Sequence, residues 1–267
     1  MTRPLLDHVD AYLDAAPRAS CTVEEIGAFS VFIGATGGWR YYARPRHGVD
    51  VSAVTAADVT AVRARQNELE QPEAFEWVEE IAPQVATACR DAGLTVRAHP
   101  LLVHHDPLAV PVPNGVRIRR LDADDAAVPA SIATAQVAFA AMDRGAVGGT
   151  DQRNLATAAV DPATVDHQRA RISAGRTIVV VAEDERGVLA SGSHNPVGDA
   201  TEIVGVATLP DERRRGLGAA VTDTLVADAV RRGIQVILLS AQDDDVARIY
   251  ERAGFRRIAT AMAAEPG

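Results

Sequence analysis

From Leu217 the apolar residues Leu217, Val221, Leu225 and Ala229 return every four positions, the spacing of one buried helix face. Gly233 stands where such a helix ends. Ahead of it, TEIVGVATL (201–209) is apolar and β-branched like a strand and is stopped by Pro210. IQVILLS (234–240) is apolar almost throughout, which suits a strand covered on both faces. VRIRRL (116–121) alternates as a strand does, AAVPASIATAQVAFAAM (126–142) reads as helix, and TIVVVAED with GVLASGSHN (177–184, 187–195) reads as two strands joined by a turn. Asp243 to Asp245 offer acceptors for a helix N-terminus. The helix runs to Gly254 with Tyr250 near its start, and FRRIATAMA closes the chain as a strand. From residue 116 the predicted order is β, α, β, β, β, α, β, α, β.

The first hundred residues read as a smaller mixed unit. Its start is an amphipathic helix with Asp7, Asp10 and Asp14 set into the apolar pattern, unlike a signal peptide. A strand pair follows around FSVFIGATGGWRYYARP (29–45), then helical segments over 55–70 and 72–93. HHDPLAVPVPNG (104–115) carries three prolines and ends in Asn-Gly, so it reads as a connector. The expected domains are 1–103, a linker at 104–115, and 116–264. One echo joins them: CRDAGLTVR (89–97) and YERAGFRRI (250–258) both leave a helix at Ala-Gly and enter a strand. Duplication and chance both account for it.

Composition narrows the function. The 267 residues carry a formal charge of −9, which argues against nucleic acid or an anionic membrane as partner. Two cysteines, Cys21 and Cys89, are too few for a disulfide framework, so a reducing, cytoplasmic setting is the expectation. No stretch has the length of a membrane span.

Against that acidic background, PDERRRGLGAAV (210–221) gathers three arginines before Gly-Leu-Gly. A strand feeding a glycine turn and then a helix collects free backbone N–H groups, an anion site. A Walker loop would need Gly-Lys-Ser/Thr, but Gly218 is followed by Ala219. A dinucleotide fingerprint would need glycine where Val221 stands. Arg213, Gly216 and Gly218 instead make Arg-x-x-Gly-x-Gly, which resembles the acyl-CoA motif of the GNAT superfamily of N-acetyltransferases. DDDVARIYERAGF resembles that family's closing Asn-x-x-Ala-x-x-Leu-Tyr-x-x-x-Gly-Phe, with Asp243 for Asn and Val246 for Ala. The resemblance covers about 116–264.

The resemblance implies an α/β fold with a mixed sheet, of the GNAT type, with an additional smaller N-terminal α/β domain that is a candidate degenerate repeat. It implies acetyl-CoA as co-substrate, its diphosphate on Arg213, Arg214, Arg215, Gly216, Leu217 and Gly218, its pantetheine arm along Val206, Ala207 and Thr208, and a contact in doubt at Asp243. Tyr250 is the implied general acid for the CoA thiolate and Glu202 the candidate base, set against plain readings as a packed tyrosine and a strand-edge carboxylate. The acceptor would be an amine of a small molecule or peptide, attacked without a covalent acyl-enzyme. No metal is implied. A catalytically silent CoA-binding or interaction module is the alternative, and the N-terminal half would shape the acceptor cleft or a homodimer contact. His104, His105 and Asp106 read as solvent-facing, His194 as a surface turn residue, the glycines of GATGGW (34–39) as a strand turn, and Trp39, Phe75 and Trp77 as core or domain interface.

Overall fold

The computed structural model describes residues 3–34, 41–106, 110–144 and 148–267, without the side chains of 142–144. Most of GATGGW, Trp39 included, lies outside the described residues. The chain forms two compact units, 1–103 with 240–248 and 256–267, and 104–239 with 249–255. Residues 256–267, nearly all of the last strand, belong to the first unit.

In the first unit, α1 (Arg3–Arg18) buries Leu6, Val9 and Tyr12 on one face. It leads into the hairpin β1 (Cys21–Ile26) and β2 (Phe29–Gly34) and the short β3 (Ala43–Pro45). Helix α2 (Ala56–Glu68), β4 (Phe75–Val78), α3 (Gln84–Asp91) and β5 (Thr95–His104) follow. β1–β2 and β2–β3 are antiparallel, whereas β3 and β4 are parallel and meet at one pair, Ala43 with Phe75. The segment 72–93 is therefore not one helix. Phe75, Trp77 and Val78 turn inward around exposed Glu76 and pair with 261–264, a tertiary pairing that overrides the helical reading. The core gathers Phe29, Val31, Val59, Val62, Phe75, Val85 and Cys89, with Phe29 and Phe75 edge to face at 5.6 Å.

The second unit opens with β6 (Arg117–Arg120), then α4 (Val128–Arg144), α5 (Thr150–Ala159) and α6 (Pro162–Ser173), three helices where the pattern gives one. The antiparallel strands β7 (Ile178–Asp184), β8 (Gly187–Val197) and β9 (Ala200–Thr208) come next. A 3-10 turn (Pro210–Glu212) leads to α7 (Leu217–Arg231) and β10 (Val236–Ser240); α8 (Asp244–Glu251) divides between the units, and β11 (Phe255–Glu265) belongs almost wholly to the first. The four-residue repeat of α7 is its buried face: Leu217, Val221, Leu225 and Ala229 are all at most 1% exposed. The helix packs so closely on β8 that a Cβ on Gly192 would stand 3.0 Å from Val221 and 3.2 Å from Leu225. Gly233, at φ +77°, ends it. Among the described residues no helix is long and apolar enough to cross a membrane.

Gly254 has a harder constraint. Its φ is +89°, its carbonyl accepts from the N–H of His105 (2.9 Å) and Asp106 (3.1 Å), and a Cβ there would fall 1.9 Å from the Asp106 carbonyl oxygen. Gly254→Ala is expected to cost more than about 2 kcal/mol, against about 1 kcal/mol for Gly175→Ala, where positive φ meets open space. Urea midpoints of the two variants test this, and equal losses would refute the packing account.

Candidate functional site

Parallel pairing of β9 with β10 runs only through Ala200–Val236, Thr201–Ile237 and Glu202–Leu238. Beyond Glu202 the recorded pairing stops while β9 continues to Thr208. On its other side β9 stays paired with β8, and there it carries a bulge: Gly205 and Val206 together face the single Gly192. Gly205 takes φ +64°, open to glycine at little cost. The signal for it was a glycine inside a β-branched run, which the sequence reading passed over.

β9 then delivers the chain to the arginines. Gly216, at φ +80°, is the N-cap of α7 and supplies no cap hydrogen bond. The first bond onto it is Ala220 N–H to the Gly216 carbonyl, so the N–H groups of Leu217, Gly218 and Ala219 lie in the turn that has no intrahelical acceptor. Arg214, at φ +63°, and Gly216 alternate with residues of ordinary φ, a conformation that turns successive N–H groups into a concavity. No acidic residue stands in the first turn of α7. A Cβ on Gly218 would lie 3.4 Å from Thr208 Oγ1 and 3.8 Å from Val206, so strand and loop close on each other here.

The three arginines have separate duties. Arg213 donates to the Ala138 carbonyl of α4 at 3.2 Å. Arg215 pairs with Glu212, a buried carboxylate whose other oxygen holds Arg186 at 2.7 Å. Arg214 is exposed and without a partner among the described residues. Glu212 is a site residue the sequence reading missed, since Arg186 lies 26 positions away.

Asp243 caps α8, its carboxylate accepting from the Val246 N–H at 2.8 Å. Tyr250 is the penultimate residue of α8, not near its start, because that capped helix begins at Asp244 and is over by Glu251. Its ring packs edge-on against Phe255 at 5.9 Å, which in turn meets His104 at 5.2 Å. Burial pushes the phenol up to about 12, and its hydroxyl has no partner among the described residues. His104 is half-buried here, contrary to a solvent-facing reading, while His105 and Asp106 are exposed. Glu202 sits at the last paired rung of β9, opposite Asn195. It is six residues from Thr208, at most about 20 Å along an extended strand.

Residues 181–263 match the family model described as FR47-like protein, a span that includes the arginine loop and Tyr250. Among solved structures, a GCN5-related N-acetyltransferase from Kribbella flavida aligns with 98% of this chain and 96% of its own, at 22% identity and TM-score 0.70. One from Sphaerobacter thermophilus gives 16% identity, TM-score 0.57 and coverage of 91% and 83%. A tandem GNAT protein from the clavulanic acid biosynthesis pathway gives the same identity and TM-score over 91% and 79%. The chain has the GNAT fold. Its C-terminal part carries the FR47-like, GNAT-related domain. No curated protein matches the sequence.

Within this GNAT fold His194 is not a surface turn residue. It lies inside β8, fully buried, because β8 runs on to Val197 before it turns. Its Nδ1 meets Thr201 Oγ1 at 2.9 Å and its Nε2 meets Asp228 of α7 at 3.2 Å. Asp228 also holds Arg232 and, more loosely, Arg231 at 3.4 Å, with Arg120 at 4.0 Å. This buried network ties α7 to β9 one residue before Glu202.

Burial outweighs Asp228 and holds His194 below its ordinary 6.5. Below about pH 6.5 the unfolded chain takes up a proton that the folded His194 refuses, so stability falls as pH drops through that range. His104 and His167 shift the same way, so three groups share the slope. His194→Gln should make the decline in urea midpoint between pH 7.5 and 5.5 shallower; an unchanged decline would exclude His194 as a contributor.

Proposed function

We propose that the protein is an N-acyltransferase that moves the acyl group of an acyl-CoA, acetyl-CoA in the first instance, to an amine of a small molecule or peptide. The observation that carries this is the join of two features: a strand whose pairing with β10 ends at Glu202, and an uncapped helix N-terminus at the end of that strand. The first offers main-chain groups to an extended amide-bearing arm, and the second offers N–H groups and the unpartnered Arg214 to a diphosphate. The residues present fit CoA, whose arm and diphosphate occur in that order. Bound acyl-CoA supplies the activated thioester.

The chain's own groups do the rest. Val206, Ala207 and Thr208 hold the arm, and Arg214 with the N–H groups of Gly216 to Gly218 holds the diphosphate. An amine acceptor near pKa about 10.4 arrives protonated, and Glu202, at the rung where the strands part, takes that proton directly or through water. An N–H of the open β9 edge donates to the oxygen on which charge develops. Tyr250, kept protonated by burial and with its hydroxyl uncommitted, donates to the departing sulfur. The acidic balance of the chain favours cationic acceptors.

Calorimetry of CoA with Arg214→Ala should show affinity reduced about tenfold, against little change for Arg213→Ala, whose side chain is committed to Ala138. Equal losses, or none, would contradict the assignment of the diphosphate to Arg214.

In a thiol-release assay over a panel of amines, Tyr250→Phe should lower kcat about a hundredfold with CoA affinity held within about twofold. Glu202→Gln should abolish the acid limb of the kcat/KM profile. Undiminished turnover in the first removes the acid role, and an unchanged profile in the second removes the base. CoA binding with no turnover on any amine would favour a silent CoA-binding module.

A further inference from the structure

The strand plan of β1 to β5 returns in β7 to β11. β1, β2 and β3 are joined antiparallel, α2 crosses over, β4 returns parallel to β3, and α3 leads to β5. β7, β8, β9, α7, β10, α8 and β11 follow the same order, with β9 and β10 as the parallel pair. In both units the parallel pair is brief, one rung in the first and three in the second. The carboxyl ends of parallel strands that part are where open α/β sheets bind ligands. In the first unit a cavity of about 640 Å³ opens at that place, lined by the turn after β3 (Arg46–Ser52), the end of β4 (Trp77, Val78) and Arg3, Asp7 and Asp10 of α1. That volume falls within the range of small-molecule sites, about 300–1,000 Å³.

Its chemistry is not that of a diphosphate cradle. The N-terminus of α2 is already occupied: Asp58 accepts from the Thr55 N–H at 2.9 Å and from the Thr55 hydroxyl at 2.7 Å. A carboxylate thus stands in the first turn of α2, where α7 has none. The cavity's two arginines are committed, Arg3 to Asp7 at 3.0 Å and Arg46 to Glu25 at 2.7 Å. What is left uncommitted accepts hydrogen bonds. Asp10, buried, holds Arg44 on one oxygen and His47 Nδ1 on the other at 2.7 Å. His47 Nε2 has no partner among the described residues. Asp50 accepts from the Ser52 N–H on Oδ1 at 2.9 Å, and hydrogen bonds from the Ser52 backbone and side chain keep its carboxyl below the usual range, so it stands as an anion at the exposed rim of the cavity. Behind Asp10 the Arg44 guanidinium is fully buried with its Nε unpartnered, a costly arrangement that apolar packing would avoid. Trp77 adds an aromatic wall.

We propose that this cavity of the N-terminal unit is a second ligand site, which takes a small organic cation, an ammonium bound by Asp50 beside Trp77. It is independent of acyl transfer in the other unit. The chain's only two tryptophans, Trp39 and Trp77, both lie before residue 104, so a Trp39→Phe background leaves Trp77 as a reporter of this cavity.

Trp77 fluorescence of the full chain should be titrated with benzylamine, agmatine and choline, and in parallel with benzoate and benzyl alcohol, without CoA. At least one amine should give a saturable change below millimolar concentration, and the neutral and anionic probes none. Asp50→Asn, at an exposed turn where folding is not at stake, should weaken the amine tenfold or more. Arg214→Ala should leave the fluorescence titration unmoved, which separates this site from failure of the CoA assignment. No saturable change with any amine, saturation by benzoate instead, or an affinity indifferent to Asp50→Asn would each overturn the proposal.

Discussion

The structure turns on where β9 stops pairing with β10. Two parallel strands that stay together satisfy each other's backbone; strands that part after three rungs leave N–H and C=O groups that something must meet. A chain cannot bury such an edge against nothing, and water or a ligand with its own amides is the answer open to it. The bulge at Gly205 contributes to the parting, because an extra residue on one side of β9 bends the strand and shifts which backbone groups face outward. Gly192, facing the bulge, lets Val206, Val221 and Leu225 close over it, so α7 stays seated although the strand beneath it is irregular. His194, Thr201 and Asp228 fasten the other end of the same helix to the paired part of β9. The helix is thus pinned at its far end and left open at its N-terminus, where the anion site lies.

That opening explains the concentration of positive charge in an acidic chain. A run of three arginines suggests a patch with additive charge, and the neighbours show otherwise. Glu212 takes Arg215 and Arg186, Arg213 is spent on a helix carbonyl, and a single guanidinium remains for a ligand. Binding then rests more on oriented N–H groups than on net charge, which suits one small diphosphate and not a polymer.

The legibility of the chain follows the same physics. α7 and its loop could be read because one helix face is buried at a fixed interval and because the turn demands glycine at Gly216. α6 could not, since it buries no residue and its sequence carries no stripe; α5 buries only Arg153. β4 was misread because four residues are too few to establish alternation, and its partners, Ala261 to Ala264, lie 183 to 189 positions away. His194 looked like a turn residue because Asn-Pro-Val-Gly follows it, whereas the strand passes straight through that proline. Pairings such as Asp10 with His47, 37 residues apart, leave no local trace at all.

The echo between Ala92-Gly93 and Ala253-Gly254 gains weight from the strand plan shared by β1 to β5 and β7 to β11. Both glycines sit at positive φ between a helix and a strand, but Gly254 also receives the backbone of Asp106, where Gly93 faces open space. The same topology has therefore been fitted with different chemistry at corresponding places. At α7 an N-cap glycine and no first-turn acid leave the helix dipole to attract an anion. At α2, Thr55 and Asp58 quench it, and acceptors gather in the cavity beyond. A residue or two at a helix start is enough to reverse the sign of what a fold can hold, because an acid in the first turn opposes an anion there, whereas bare N–H groups are open to water or to a ligand's anion.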